Sequence, residues 1–448
     1  MVSATATMLG FMDYVQQAFS SASFWNRDNS YGALTATARG AHAWSYPSDC
    51  TDRCLALLEF PTPNGLSLNL SSLSSPNFAT SYSLSSVGML DGSLSYLYSS
   101  LPLNIASKSN DIPLRHIVSG YRQLQELRRP DEPWWWEVWH DGKRIDKRDT
   151  LLYGRLYLPA SHLEALYLRR ISPISQLKIS CVSSSQLKSG GSVLFLLSRD
   201  FGKYSTEYLY STDSALLGVR GLYNFGPDPR NAEGGSGNDE TVGREVAGLN
   251  GRFSAGAELY YGLLNKSGGI STGIRFATLP RHQGFPYTMT LTLNPLMGNL
   301  SSTYAVKAGP SLALCSKFDF NVYSYESTFQ AGMELWRRRR RSDDLDWAFR
   351  KLQEPGKSGW GEPMLRSSQE APIRESTTFS PGLGGSVIGF DSEDAAGVLK
   401  ARMNQQGEVG LLWEGKIKEL VYSFGVRLEF KQRDQLLKGI GLEIQYSS

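Results

Sequence analysis

Apolar and polar residues alternate with a period of two along most of this chain. Leu66, Leu68 and Leu70 alternate with Ser67, Asn69 and Ser71. Leu94, Tyr96 and Tyr98 alternate with Ser93, Ser95 and Ser99, with Leu97 as the exception. Tyr204, Thr206, Tyr208 and Tyr210 form another such row, and Phe285, Tyr287, Met289, Leu291 and Leu293 stand opposite Thr288, Thr290 and Thr292. Leu420, Tyr422, Phe424, Val426, Leu428 and Phe430 face away from Ser423, Arg427, Glu429 and Lys431. Side chains of a strand point alternately to its two faces, so each row predicts a strand with one apolar and one wet face.

Twenty candidate strands follow: 65–73, 78–87, 92–99, 151–159, 162–170, 175–183, 192–199, 203–211, 214–223, 251–263, 269–278, 285–294, 299–308, 311–322, 324–336, 383–391, 394–404, 408–416, 419–430 and 438–446. Many have the length, about 9–11 residues, with which a tilted strand crosses a bilayer. A soluble propeller would need a blade-length repeat, and the chain has none. A membrane barrel needs an apolar exterior and a polar lumen. Rows of Tyr, Phe and Leu opposite Ser, Thr, Asn and charge supply both, and closure removes the sheet edges. The expected fold is an all-β transmembrane barrel over 65–448, preceded by a segment 1–64.

Composition narrows the function. A net charge of +3 over 448 residues gives no bulk attraction to nucleic acid. No stretch approaches the 18 uninterrupted apolar residues of a spanning helix. The segment 1–7 has no Lys or Arg, and Asp13 interrupts the apolar stretch after it, so neither a secretory signal nor an Arg-rich transit peptide is expected. Cys50 and Cys54, with His42 nearby, lack the second pair of a zinc set. Cys181 and Cys315 read as small buried or lipid-facing residues. No cofactor and no catalytic constellation is expected.

Four other segments stand out. Met8, Met12, Val15 and Phe19 recur at helical spacing and predict a short amphipathic helix packed against the barrel wall. The segment 100–150 carries Trp134, Trp135, Trp136 and Trp139, which suit an interfacial anchor, a protein contact, or a cluster packed under its own loop. The segment 224–250 reads as a flexible Gly- and acid-rich linker. The segment 337–382 opens with Arg337, Arg338, Arg339, Arg340 and Arg341, which fit anionic headgroups, an acidic partner, a nuclear address or nucleic-acid patch, or a solvated loop ending a strand. Lys178, Arg252, Arg275 and Lys307 fall on or near polar faces, where they would tune the ion selectivity of a channel for metabolites or polypeptides, or simply be solvated by a wet lumen.

Longer runs are more specific. Phe11-Met-Asp-Tyr-Val-Gln-Gln-Ala-Phe19, Trp25-Asn-Arg-Asp-Asn-Ser-Tyr31, Phe60-Pro-Thr-Pro-Asn-Gly-Leu66, Ser75-Pro-Asn-Phe-Ala-Thr-Ser-Tyr82 and Asp91-Gly-Ser-Leu-Ser-Tyr-Leu-Tyr98 resemble the family of fungal mitochondrial distribution and morphology protein 10. The resemblance implies a barrel like the voltage-dependent anion channel, with nineteen strands and an N-terminal helix entering the pore. Two candidates within 151–183 would then be one split strand, and an odd number implies a parallel pair between 65–73 and 438–446. It also implies a mitochondrial outer-membrane location and two binding roles. One is anchoring the ER–mitochondria encounter structure through its soluble and ER-anchored subunits, in support of phospholipid exchange. The other is assisting the sorting and assembly machinery, its barrel and accessory subunits, in inserting barrels and assembling the import translocase. Membrane lipids are expected partners. Mitochondrial barrels end in a polar-x-Gly-x-x-apolar-x-apolar sorting signal; Gly441, Ile444 and Tyr446 fit it, while Gly439 occupies the polar place. Residues 41–54 look like an insertion against the family pattern.

Overall fold

The computed structural model describes residues 9–21, 29–38, 57–58, 60–87, 89–103, 105–127, 137–140, 143–146, 149–159, 161–184, 190–226, 251–280, 282, 284–338, 395–431 and 436–448. Nineteen strands form one sheet, and the parallel pairing of its first and last strands closes it. In chain order they are β1 (Gly65–Ser75), β2 (Phe78–Val87), β3 (Met89–Ser99), β4 (Thr150–Leu158), β5 (His162–Arg170), β6 (Ser175–Ser183), β7 (Gly191–Asp200), β8 (Tyr204–Ser211), β9 (Leu216–Phe225) and β10 (Gly251–Gly262). The ring continues through β11 (Ser267–Thr278), β12 (Tyr287–Asn294), β13 (Asn299–Lys307), β14 (Leu312–Asn321), β15 (Ser327–Arg338), β16 (Ala395–Asn404), β17 (Glu408–Ile417), β18 (Leu420–Glu429) and β19 (Leu437–Ser447).

Every pair around the ring is antiparallel except the seam, where Gly65 to Ser71 run beside Gly441 to Ser447. Closure leaves no row of unpaired backbone groups, which lipid would penalise. The division between faces follows the alternation. Leu66, Tyr82, Tyr96, Leu152, Tyr208, Leu259, Met289, Phe318, Phe329 and Trp413 are exposed on the outside. Ser93, Ser95, Lys178, Glu207, Arg275, Thr290, Glu334, Lys400, Glu414 and Glu443 are buried on the inside. A wall apolar outside and polar inside inverts the pattern of a water-soluble protein and suits a bilayer.

The antiparallel ring makes the two ends unequal. The three longest connections, 100–149, 226–250 and 339–394, leave from one end. At the opposite end the turns run to seven residues at most, the longest being 184–190 and 430–436.

One expectation is corrected. The candidates between 151 and 183 are three separate strands, β4, β5 and β6, each with its own ladder. The polar turn Ser172–Ser175 and the cis Leu158–Pro159 bend separate them. The surplus candidate, 383–391, lies outside the described residues. The structure adds three helices, α1 (Phe11–Ser21), α2 (Tyr31–Ala38) and α3 (Leu114–Ile117), and a hairpin pairing Glu137–His140 with Lys143–Asp146. Only α1 is visible as helical periodicity. In α2, Tyr-Gly-Ala-Leu-Thr-Ala-Thr-Ala is too short and too uniform to show a face.

Candidate functional site: a filled lumen and a one-sided rim

Amphipathic α1 turns its apolar stripe onto the inner wall. Phe11, Met12, Val15 and Phe19 are buried in one cluster with Ala79, Leu97, Leu151 and Leu168 from β2 to β5, and with Val398 and Val421 from β16 and β18. These wall residues lie near the strand ends at the long-loop end. The segment after β3 folds inward and completes the cluster with Leu103, Ile112, Leu114, Ile117 and Val118. Burying an aliphatic or aromatic side chain of this kind contributes about 1.5–3 kcal/mol.

That segment then crosses the lumen. Ser109 donates its backbone N–H to the Ser447 carbonyl at 3.0 Å, and the Lys416 ammonium donates to the carbonyls of Asn110 and Ile112 at 2.6 and 3.0 Å. Further along, the Tyr121 N–H donates to Glu334 at 2.9 Å, Gln123 donates to the Leu279 carbonyl at 2.8 Å, and Arg252 donates to the Gln125 carbonyl at 3.2 Å. The anchors run from β17 and β19 through β15 to β10, on opposite sides of the ring. Burial pushes the Tyr121 phenol up to about 12.

Charges clamp the plug. Arg170 pairs with Asp149 and donates to the Phe19 carbonyl, and its guanidinium stacks 4.1 Å from the Phe19 ring, fixing the end of α1. Lys400 and Glu414 form a 2.7 Å ion pair at 1% and 0% exposure. Glu334, facing Lys400 across the β15–β16 ladder, also accepts the Trp336 indole N–H. Charges so enclosed persist only when paired.

On the other side, α2 is hung from its N-terminus. Asn29 donates to Asp200 at 2.6 Å and to the Gly202 carbonyl at 2.7 Å; Asn224 donates to Asn29, and Ser254 to Asn224. The helix lies close on the wall because a methyl group at Gly273 would sit 2.6 Å from Leu34 Cδ2. Beyond α2, at the short-turn end, the lumen is polar. A cavity of about 530 Å3 is lined by Thr35, Glu258, Asn294, Asn299, Lys317 and Asp319.

The segment before β1 also runs inside. Leu57 and Leu58 are buried with Tyr121 and Cys315, and Arg402 donates to the Leu58 carbonyl at 3.2 Å and stacks over Phe60. Pro63 presses on the seam, where any Cβ at Gly441 would collide with its backbone.

The residues singled out from sequence scatter over this frame. Trp134 to Trp136 and Arg339 to Arg341 lie outside the described residues; Trp139 falls in the small hairpin. Arg337 and Arg338 belong to β15, which ends two residues later than its alternation suggested, and Arg337 is exposed on the outer face. Gly441 faces the lumen, and Ile444 and Tyr446 face outward. Lys178, Arg252 and Arg275 face inward but are buried at 5%, 6% and 1%, so they do not line open water. Sequence reasoning missed the lumen-crossing segment. Its signal was the pair of inward leucines, Leu97 and Leu151, at positions where alternation calls for polar residues.

A sequence profile described as mitochondrial distribution and morphology protein 10 matches residues 8–448. Curated proteins of that name share 58% identity in Phaeosphaeria nodorum and 56% in Sclerotinia sclerotiorum, each over 98% of this chain and 100% of the relative. The one from Podospora anserina shares 43% identity, again over 98% of this chain and 100% of the relative.

Proposed function

Because the chain belongs to the family of mitochondrial distribution and morphology protein 10, whose name assigns it to mitochondrial distribution and morphology, we propose that it is a non-enzymatic scaffold of the mitochondrial outer membrane. In this reading it anchors the ER–mitochondria encounter structure, in support of phospholipid exchange and mitochondrial shape. It also assists the sorting and assembly machinery in inserting barrels and assembling the import translocase. The partners are the soluble and ER-anchored tether subunits, the sorting barrel with its accessory subunits, and membrane lipids. The observation that carries the reading is the filled lumen: a barrel plugged from wall to wall by its own chain is left to act through its rim and outer wall. The strand ends from which the long connections leave lie on one side of the barrel.

The test uses full-length protein tagged at the C-terminus in mitochondrial membranes. It should resist alkaline extraction, then co-purify in mild detergent with both tether subunits and the sorting barrel. Recovery of one set alone would assign that role and remove the other; recovery of neither would overturn the scaffold. The polar cavity at the short-turn end favours a rival, an anion-channel-type pore. That rival requires voltage-dependent conductance of the purified barrel, altered when Lys317 is changed to Gln.

A further inference from the structure

The outer wall is almost free of charge, and the exceptions share a position. Among outward-facing ladder residues of the described strands, the charged ones are Arg169, Arg199 and Arg337. Each is the penultimate residue of a strand running toward the long-loop end, in β5, β7 and β15. All three are exposed, and none has an acidic partner among the described residues. The short-turn end has no counterpart: Lys438, in the irregular start of β19, is already held by Glu408 and Glu429 at 3.3 and 2.9 Å.

Arg169 and Arg199 flank the single strand β6. Arg169 pairs across the ladder with Leu177, Leu177 with Leu197, and Arg199 with Ser175. Arg199 stands beside Ser175 and Arg169 beside Leu177, so the two arginines lie on a diagonal two strands across and two residues along. At about 4.8 Å per strand and 3.3 Å per residue their Cα atoms are about 12 Å apart, a span that two extended guanidinium side chains can close around one phosphate. Lys203, on the next turn, holds its ammonium 5.7 Å from the outward Tyr223 ring. Tyr204 stacks on Phe201 with centroids 4.7 Å apart. Tyrosine at this level marks the bilayer interface. Toward the bilayer centre, Leu177, Ile179, Leu197 and Phe195 make an apolar lane below the arginines.

We propose that this patch of β5–β7 is a binding site for an anionic phospholipid, its phosphate gripped by Arg169 and Arg199, its headgroup beside Lys203 and its acyl chains lying along β6 and β7. Paired guanidinium groups are suited to phosphate oxygens, and a desolvated membrane interface strengthens the contact. The inference rests on the membrane reading above.

The test is selective lipid retention. Full-length barrel is reconstituted into nanodiscs of phosphatidylcholine with a minor fraction of phosphatidylinositol, released in mild detergent, and weighed intact by mass spectrometry. Wild type should retain phosphatidylinositol in preference to phosphatidylcholine. Arg169→Gln/Arg199→Gln should lower that retention at least about five-fold, Arg169→Lys/Arg199→Lys less, and Arg337→Gln, far around the ring, not at all. Both substitutions face outward and touch no core, so insertion of the variants is the internal control. Equal retention by an inserted Gln variant, equal retention of phosphatidylcholine, or displacement by soluble inositol phosphate would overturn the lipid site while leaving the membrane reading intact. Failure of wild type to enter the bilayer at all would overturn that reading, and this site with it.

Discussion

The two halves of the lumen are built on one wall but filled by opposite chemistry. At the long-loop end, inward positions carry Ala79, Leu97, Leu151, Leu168, Val398 and Val421, and they close on α1 and the crossing segment in a dry cluster. At the short-turn end, inward positions carry Thr292, Asn294, Asn299, Lys317, Asp319 and Thr328, and they line a wet cavity. The outer face separates the halves only at its rim, being apolar over the span of both, with its few arginines at the long-loop end. What is inside a barrel of this kind is therefore written in the inward register alone.

The strongest way to break the contrast is to charge the dry half. Val15→Asp, at 0% exposure in the apolar cluster, should cost more than about 4 kcal/mol, because an unpaired carboxylate there has no solvent and no cation. The expected readout is new protease cleavage within 101–127 and early thermal unfolding. Intact protection would show that α1 is not seated on the wall. Next in size, Lys400→Met should cost about 3–5 kcal/mol by leaving the buried Glu414 unpaired, and the added change Glu414→Leu should recover part of it. A melting series of the two variants measures the difference. No recovery in the double variant would mean that Lys400 stabilises chiefly through Glu334.

Leu97→Ser sharpens the comparison, since it restores perfect alternation in β3. If the dry half is packed, obeying the pattern should cost about 2–4 kcal/mol in thermal stability. A neutral result would mean that the cavity wets there as it does at the other end. The smallest effect belongs to the wet half. Asn299→Ala on the cavity wall should stay within about 0.5 kcal/mol, and a large loss would show that this side chain organises more than water.

Much of the wall was legible in the sequence, because each strand needs only its own period to be seen. Nineteen of the proposed segments coincide with strands, and β2, β5 and β6 coincide end for end. Burial of Met12, Val15 and Phe19 follows the helical spacing noted for them, Phe11 joins them, and Met8 lies outside the described residues. The interior was less legible. The segment 101–127 has neither a two- nor a four-residue rhythm, and its anchors are backbone carbonyls met by Lys416, Gln123 and Arg252. Contacts of that sort depend on where distant strands bring their side chains, which no local pattern records. Leu97, an exception inside a regular row, was the local trace of them. Arg169 and Arg199 were equally invisible as a pair until β6 placed them side by side.

The seam sets a schedule. Gly65 to Ser71 lie beside Gly441 to Ser447, so the first strand made by the ribosome has its neighbour in the last. Without β19 in place the ring cannot close, and β1 lacks its neighbour on one side. Sealing consequently requires the first and the last strand to be present together. The contact of Pro63 with Gly441 belongs to the same moment, because it forms only when the start of the ribbon meets its end.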